Sequence, residues 1–351
     1  MAKAKELTPL VPQKGGFKLR GKINGMGSKF FFKEGVGESG KEWKSINFSI
    51  ETSNDNKVFV GVFDTEKDYA YAYKKPAKGE KKGTTKKIAW KDRNDKLPNG
   101  FKIIQPAWDL IDEIIDNFAD DVRVMCLGEI RYSEYNDEPQ VNLGIKKIYE
   151  ETEPMDFDDP DFKEVSTFRQ EMTVVEVNEI KDDDGKKKLA ITAYIIQGRG
   201  KDKDGVERLP DVQTAVFYVN LTEKNKKFYA NVKKLKFGDT FEVSGIIQSR
   251  TEKSVVSDEE SDDAWGEVEE KVITKLIKEF EITGIYKESF VSKMYKPEDF
   301  EEALSTKQAK EDFDVDENDD DDENENSEFG ETNQDDDLDL SESDIPFWYN
   351  W

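Results

Sequence analysis

The stretch WKSINFSIETSNDNKVFVGVF, residues 43–63, reads as two strands and the turn between them. In the first arm Ile46, Phe48 and Ile50 alternate with Trp43, Ser45 and Asn47. In the second, Val58, Val60 and Val62 alternate with Phe59 and Phe63. Alternation at period two sends one set into a core and leaves the other on the opposite face of the sheet. That opposite face carries three large aromatic rings. They are either a second core, where strands meet a helix, or a surface with a use.

Working outward, GFKLRGKI (16–23) alternates in the same way, Phe17, Leu19 and Ile23 against Lys18, Arg20 and Lys22. FFFKEGVGESGKEW (30–43) is a Gly-rich hairpin whose rings Phe30, Phe31 and Phe32 divide between inside and outside. Downstream, a basic loop over residues 74–100 leads to WDLIDEIIDNF (108–118). This is a helix with Leu110, Ile111, Ile114, Ile115 and Phe118 on one stripe. VRVMCLGEIRY (122–132) and QVNLGIKKIY (140–149) are two further strands. Three strands, a helix and two strands is the order of the OB-fold, a five-stranded Greek-key barrel.

Residues 150–164, EETEPMDFDDPDFKE, are acidic and aperiodic and read as a linker. The layout then runs again: FRQEMTVVEVNEI, KLAITAYII and TAVFYV as strands, NKKFYANVKKL as a short helix, GDTFEVSGIIQSRT and KLIKEFEITGIY as closing strands. FKLRGKINGM (17–26) aligns with MTVVEVNEIK (172–181), and CLGEIRY (126–132) with VSGIIQS (243–249). The expected fold is mainly β. Two tandem OB-like barrels, 15–150 and 165–302, follow a flexible start (1–14) and are joined by a linker (151–164). An acidic insertion, SDEESDDAWGEVEE, falls at 257–270. From residue 303 the composition collapses into Asp, Glu, Asn and Ser, too polar to fold, and reads as a disordered tail.

Charge is divided along the chain. The formal net charge is −25, yet residues 1–110 carry 23 Lys and Arg against 13 Asp and Glu, a net of +10. Residues 311–351 carry 19 acids and no Lys or Arg. A basic region with an acidic tail points to a polyanionic ligand at one end and a competing polyanion at the other. With no histidine and a lone Cys126, the usual zinc sites, an intrachain disulfide and the commonest general base are excluded. DDPD (158–161) and DDD (182–184) read as acidic turns rather than magnesium ligands, and no phosphate-binding Gly-rich loop is present. No enzyme and no cofactor are expected. No run of eighteen apolar residues occurs, so a soluble cytosolic protein without a membrane span is expected.

Rings for stacking bases and cations for phosphates make a sequence-tolerant single-strand surface. Trp43, Phe59 and Phe63 supply rings on the non-core face, with Phe31 from the hairpin. DYAYAYKKP places Tyr69, Tyr71 and Tyr73 at period two before Lys74 and Lys75. Residues 74–93 hold eight Lys, one Arg and Trp90. Among them Lys81, Lys82, Lys86, Lys87, Lys91 and Arg93 are candidate phosphate contacts, beside Lys18, Arg20 and Lys22 on the first strand. The second barrel has fewer aromatics on any one face, among them Tyr194, Phe217, Tyr218, Phe228 and Tyr229. Weaker binding, or a structural role, is expected there.

The tail ends DIPFWYNW (344–351). A barrel, an anionic tether and this apolar tip together resemble the bacterial and phage single-stranded DNA-binding proteins, whose acidic tails end in a DDDIPF-like peptide. The match rests on Asp344, Ile345, Pro346 and Phe347. The resemblance implies a non-enzymatic coat for single-stranded DNA in replication, recombination and repair, with RNA as the alternative strand. It also implies that the tip docks into basic-rimmed apolar pockets on a polymerase, helicase or primase. WYNW follows the Phe here, so Trp348, Tyr349 and Trp351 join the expected docking set. The alternatives are a recombination mediator and an acidic DNA mimic; a mimic has no use for the basic aromatic face.

Overall fold

The computed structural model describes residues 7–305 except 38, 77, 79–81, 136–137, 182–184, 199–207 and 257–270. Lys81, the DDD turn, the acidic insertion and the whole DIPFWYNW tip lie outside the described residues.

The fold is mainly β, with one large sheet and one small one. The first half contains β1 (Gly15–Asn24), β2 (Phe32–Val36), β3 (Glu42–Ser53) and β4 (Asn56–Thr65). β5 (Tyr69–Lys74), β6 (Thr84–Ala89) and β7 (Phe101–Ile104) follow, then α1 (Ala107–Asn117), β8 (Arg123–Tyr135) and β9 (Glu138–Glu150). Pairing runs β1–β3, β3–β4, β4–β9, β9–β8 and β8–β1, which closes a ring of five strands. β4 and β9 are its one parallel pair, meeting at Gly61 and Gly144. α1 buries Leu110, Ile111 and Ile114, and Ile115, expected on the same stripe, stays exposed. Its start is fixed from outside the helix, because the buried Asp64 accepts the Trp108 backbone N–H at 2.8 Å.

The second half repeats the scheme with β10 (Val165–Lys181), β11 (Lys187–Gln197), β12 (Asp211–Asn220), α2 (Lys226–Val232), β13 (Thr240–Val256) and β14 (Lys271–Ile285). Here β10–β11, β11–β12, β12–β14, β14–β13 and β13–β10 close the ring. The parallel contact is again β12–β14, at Tyr218 and Glu281.

One local device is duplicated. Phe17 lies opposite Gly128, and Phe168 lies opposite Gly245. A Cβ on either glycine would stand 2.5 Å from that ring and 2.1 or 2.0 Å from the carbonyl of Gly144 or Glu281. A β-bulge precedes each glycine, at Leu127/Gly128 and Ser244/Gly245. The alignment of CLGEIRY with VSGIIQS therefore holds in three dimensions. The alignment of Phe17 with Met172 does not, because its counterpart is Phe168. An alternating pattern matches itself at every even shift, and only the pairing register chooses among the shifts.

The two rings are one body. β1 pairs with β10 from Gly15↔Gln170 to Arg20↔Val165. A single apolar cluster runs through both halves. Side-chain amides also cross between the rings in both directions. Asn56 accepts from the Ser249 N–H and donates to the Ile247 carbonyl, both at 2.8 Å. Gln197 accepts from the Tyr132 N–H at 3.1 Å and donates to its carbonyl at 2.7 Å.

The linker, residues 151–164, has no strand or helix but lies along β1. It pairs Glu151 with Arg20 at 3.2 Å and buries Met155. Asp156 accepts the Asp158 N–H, Asp159 accepts the Asp161 N–H, and Asp158 accepts from the side-chain amide of Asn54 at 2.8 Å. The start of the chain, expected to be loose, is tied down from residue 8. Thr8 donates to Asp299, Val11 to Tyr295 Oη and Gln13 to the Ile196 carbonyl. The expected basic loop also has structure, since β5, β6 and β7 form a separate three-stranded sheet in the order β6-β5-β7.

Candidate nucleic-acid interface

The outward face of β3 and β4 carries Trp43, Ser45, Asn47 and Ser49 against Thr65, Phe63, Gly61 and Phe59. Phe59 is 44% exposed. Trp43 and Phe63 are half-buried, centroids 6.1 Å apart and planes at 30°. Trp43 lies across Gly35 of β2, where a Cβ would stand 2.9 Å from the ring. A bare backbone at that position is what lets the indole lie flat. Asn47 lies across Gly61 in the same manner.

The hairpin before β2 divides its rings as the sequence suggests. Phe31, placed on the binding face by the sequence reading, packs on Phe48 with a centroid distance of 6.2 Å and is 9% exposed. Phe30 and Phe32 are the exposed rings, at 60% and 36%, with the ammonium groups of Lys29 and Lys33 at 4.8 and 6.0 Å from the Phe30 centroid. Lys33 opposes Ser45, so it shares the face of Trp43. The pattern FFF carried no signal for which ring turns in; the Asn47 N–H, bonded to the Phe31 carbonyl at 2.8 Å, fixes it.

The small sheet presents a second aromatic row. Ala70 and Ala72 are buried at 3% and 0%, which turns Tyr69, Tyr71 and Tyr73 the other way. Lys87 opposes Tyr71 on β6, and its ammonium stands 4.4 Å over the Tyr69 ring. Lys102 opposes Tyr73 on β7. Lys74, Lys75, Lys82, Lys86 and Lys91 are exposed.

Other candidates are engaged in structure. Trp90 stands edge-on to Trp108 at 6.4 Å with the Arg93 guanidinium 4.2 Å over its ring. Arg93 in turn pairs with Asp109 at 2.9 Å. These groups fasten the small sheet to α1. Lys44 of β3, 5% exposed, ties α1 to the large sheet by pairing with Asp112 and standing 4.2 Å over Trp108. Arg20 is neutralised by Glu151 and Glu153, and Lys22 covers Phe157 at 4.9 Å. Hydrogen bonds from Glu153 and Arg20 hold the Glu151 carboxyl below its usual pKa. Lys18, on the same outward side of β1, is half-buried. On β8, burial raises the Glu129 carboxyl's pKa, but Lys146 and Arg131 outweigh it and hold the group below its usual value.

The corresponding face of the second ring is different. Lys188 pairs with Glu279 at 2.9 Å and stands 4.1 Å over Tyr218. Its other end is covered by the segment before β1 and the segment after β14, where Ile196 and Val212 are buried under Leu10, Tyr295, Phe300 and Leu304.

The molecule is thus a mainly β protein of two like strand rings, one of which keeps an open aromatic and basic face. A family model described as YorF matches residues 20–319, and the chain belongs to the YorF family. Among solved structures it is similar to the wild-type single-stranded DNA binding protein from Thermus aquaticus, at 6% identity and a TM-score of 0.37. That match covers 79% of this chain and 93% of the other. A deletion mutant of the Thermus aquaticus protein matches at 7% identity and a TM-score of 0.38, covering 79% and 95%. The Plasmodium falciparum SSB in complex with ssDNA matches at 14% identity and a TM-score of 0.23, covering 38% and 99%. No curated protein matches. Among the described residues, no helix is long and apolar enough to cross a membrane.

Proposed function

We propose that this chain is a non-enzymatic single-stranded DNA-binding protein, each strand ring an OB-type barrel. The strand crosses the outer face of β3 and β4 in the first ring. The observation that carries this reading is the exposed Phe59 on one face with Trp43 and Phe63, edged by Lys33 and the ring of Phe30. Such a face needs no base-edge hydrogen bonds, because every base has a π-face to stack and every linkage a phosphate to neutralise. The role extends to coating strands in replication, recombination and repair, with the DIPFWYNW tip recruiting a replication protein.

Fluorescence titration of single-stranded DNA, duplex DNA and RNA of equal length at two salt concentrations tests the reading. Single-stranded DNA should bind at least tenfold tighter than duplex, and affinity should fall by about 0.7 log units per log unit of salt for each phosphate neutralised. Equal affinity for duplex defeats it. Deleting residues 344–351 should leave strand affinity unchanged while a replication protein is no longer retained in a pull-down.

A further inference from the structure

β5, β6 and β7 form an insertion between β4 and α1, and the five-strand ring closes without it. Its inner face is small and buried, Ala70 and Ala72, and its outer face is a row of three tyrosines. Alternate residues of a strand are about 6.6 Å apart, roughly twice the 3.4 Å step of a stacked nucleic-acid strand. A row at that interval cannot match bases stacked on one another. It matches bases drawn apart, each lying against a ring. Cations stand where the linking phosphates would pass, with Lys87 opposite Tyr71 and Lys102 opposite Tyr73. Tyr73 has a glycine at its back, since a Cβ on Gly83 would fall 2.4 Å from its ring.

We infer that this sheet is a second single-strand platform, taking an extended run of three bases on Tyr69, Tyr71 and Tyr73 with phosphates at Lys87 and Lys102. It rests on the single-strand reading above and adds to it a surface separate from the barrel face. Short strands then need only the barrel, and longer strands gain from both. An acidic protein segment would use the lysines but has no need of rings at this interval.

The test uses the full chain and thymidine oligonucleotides of increasing length, from about six to about thirty nucleotides, in the range of single-barrel site sizes and beyond. The triple variant Y69A/Y71A/Y73A should bind the shortest strand within twofold of the parent and lose tenfold or more on the longest. The variant Y69F/Y71F/Y73F, which keeps the rings, should restore the long-strand gain. K87Q/K102Q should lower the salt slope on long strands by about 1.4, two phosphates' worth. Thermal melting of each variant separates lost binding from lost fold. A well-folded alanine variant that equals the parent at every length overturns the platform and leaves the barrel reading standing. A phenylalanine variant that fails to restore binding overturns stacking. A parent that binds no strand at any length overturns both. A Glu-rich peptide that loses affinity in the alanine variant while long oligonucleotides do not makes the sheet a protein site instead.

Discussion

The two rings close with the same device and face outward with different residues. Ile23 pairs with Ile50, and its counterpart Val174 pairs with Ala193. Carried through the next ladder, this register sets Phe59 against Val216, Gly61 against Tyr218 and Phe63 against Asn220. The parallel contacts agree independently, since Gly61 meets Gly144 where Tyr218 meets Glu281. The aromatic strip of the first ring has become aliphatic and polar in the second. Gly61 and Gly144 of the first ring stand where the second has Tyr218 and the half-buried Glu281. Inward positions are held by close packing, which tolerates little change. Outward positions are not, so the first ring keeps exposed aromatic side chains there while the second is covered by the segments around Leu10 and Phe300.

The largest expected effect falls on what the rings share. Gly128→Val and Gly245→Val each drive a branched side chain into a carbonyl and a phenylalanine ring. Each should cost about 3 kcal/mol or more, lowering Tm by roughly 10 °C. Because the rings share a ladder and a core, the loss should appear as one transition in both variants. Two separated transitions would break the single-body description.

The next effect falls on what they do not share. Phe59→Ala should weaken single-strand binding by about 1–3 kcal/mol with little change in Tm, because the ring is exposed. Val216→Ala and Tyr218→Ala should change binding less than twofold. Equal losses from both rings would erase the asymmetry.

The smallest effects concern charge. Glu129 titrates below its usual value in the folded chain, so its stabilisation is present above the unfolded pKa and is lost as pH falls through the folded one. Glu129→Gln should cost about 0.5 kcal/mol at pH 7, and the difference should vanish in acid. Burial raises the Glu281 carboxyl, which is near Glu279 as well, so its penalty is present at neutral pH, shrinks as pH falls through the folded value and is gone below the unfolded one. Glu281→Gln should therefore stabilise slightly at pH 7, by about 0.5 kcal/mol or less. Urea titrations at pH 7 and at acid pH below the folded Glu129 value read both. Effects of the same sign at neutral pH would contradict the assignment.

Much of this molecule is written in period-two patterns. The faces of β1, β3 and β4 and the split of Ala70 and Ala72 from the tyrosines follow from alternation, because a pleated strand has two sides and one is dry, and α1 follows from its helical stripe. The concentration of Lys and Tyr in residues 69–102 is equally plain in the chain. Other features depend on contacts between distant residues, which local patterning does not encode. Phe31 rather than Phe30 turns inward because of a bond to Asn47. Trp90 and Arg93 look like free binding residues until Trp108 and Asp109 arrive from α1. The basic segment becomes a sheet because β7, some thirty residues on from β5, returns to pair with it. Residues 8–14 carry no periodic signal, yet they are ordered by Asp299, Tyr295 and Ile196, nearly three hundred and nearly two hundred residues away. The register between repeats is of the same kind: alternation permits every even shift, and the choice of Phe168 over Met172 is made where a glycine lets a phenylalanine ring pass against the backbone.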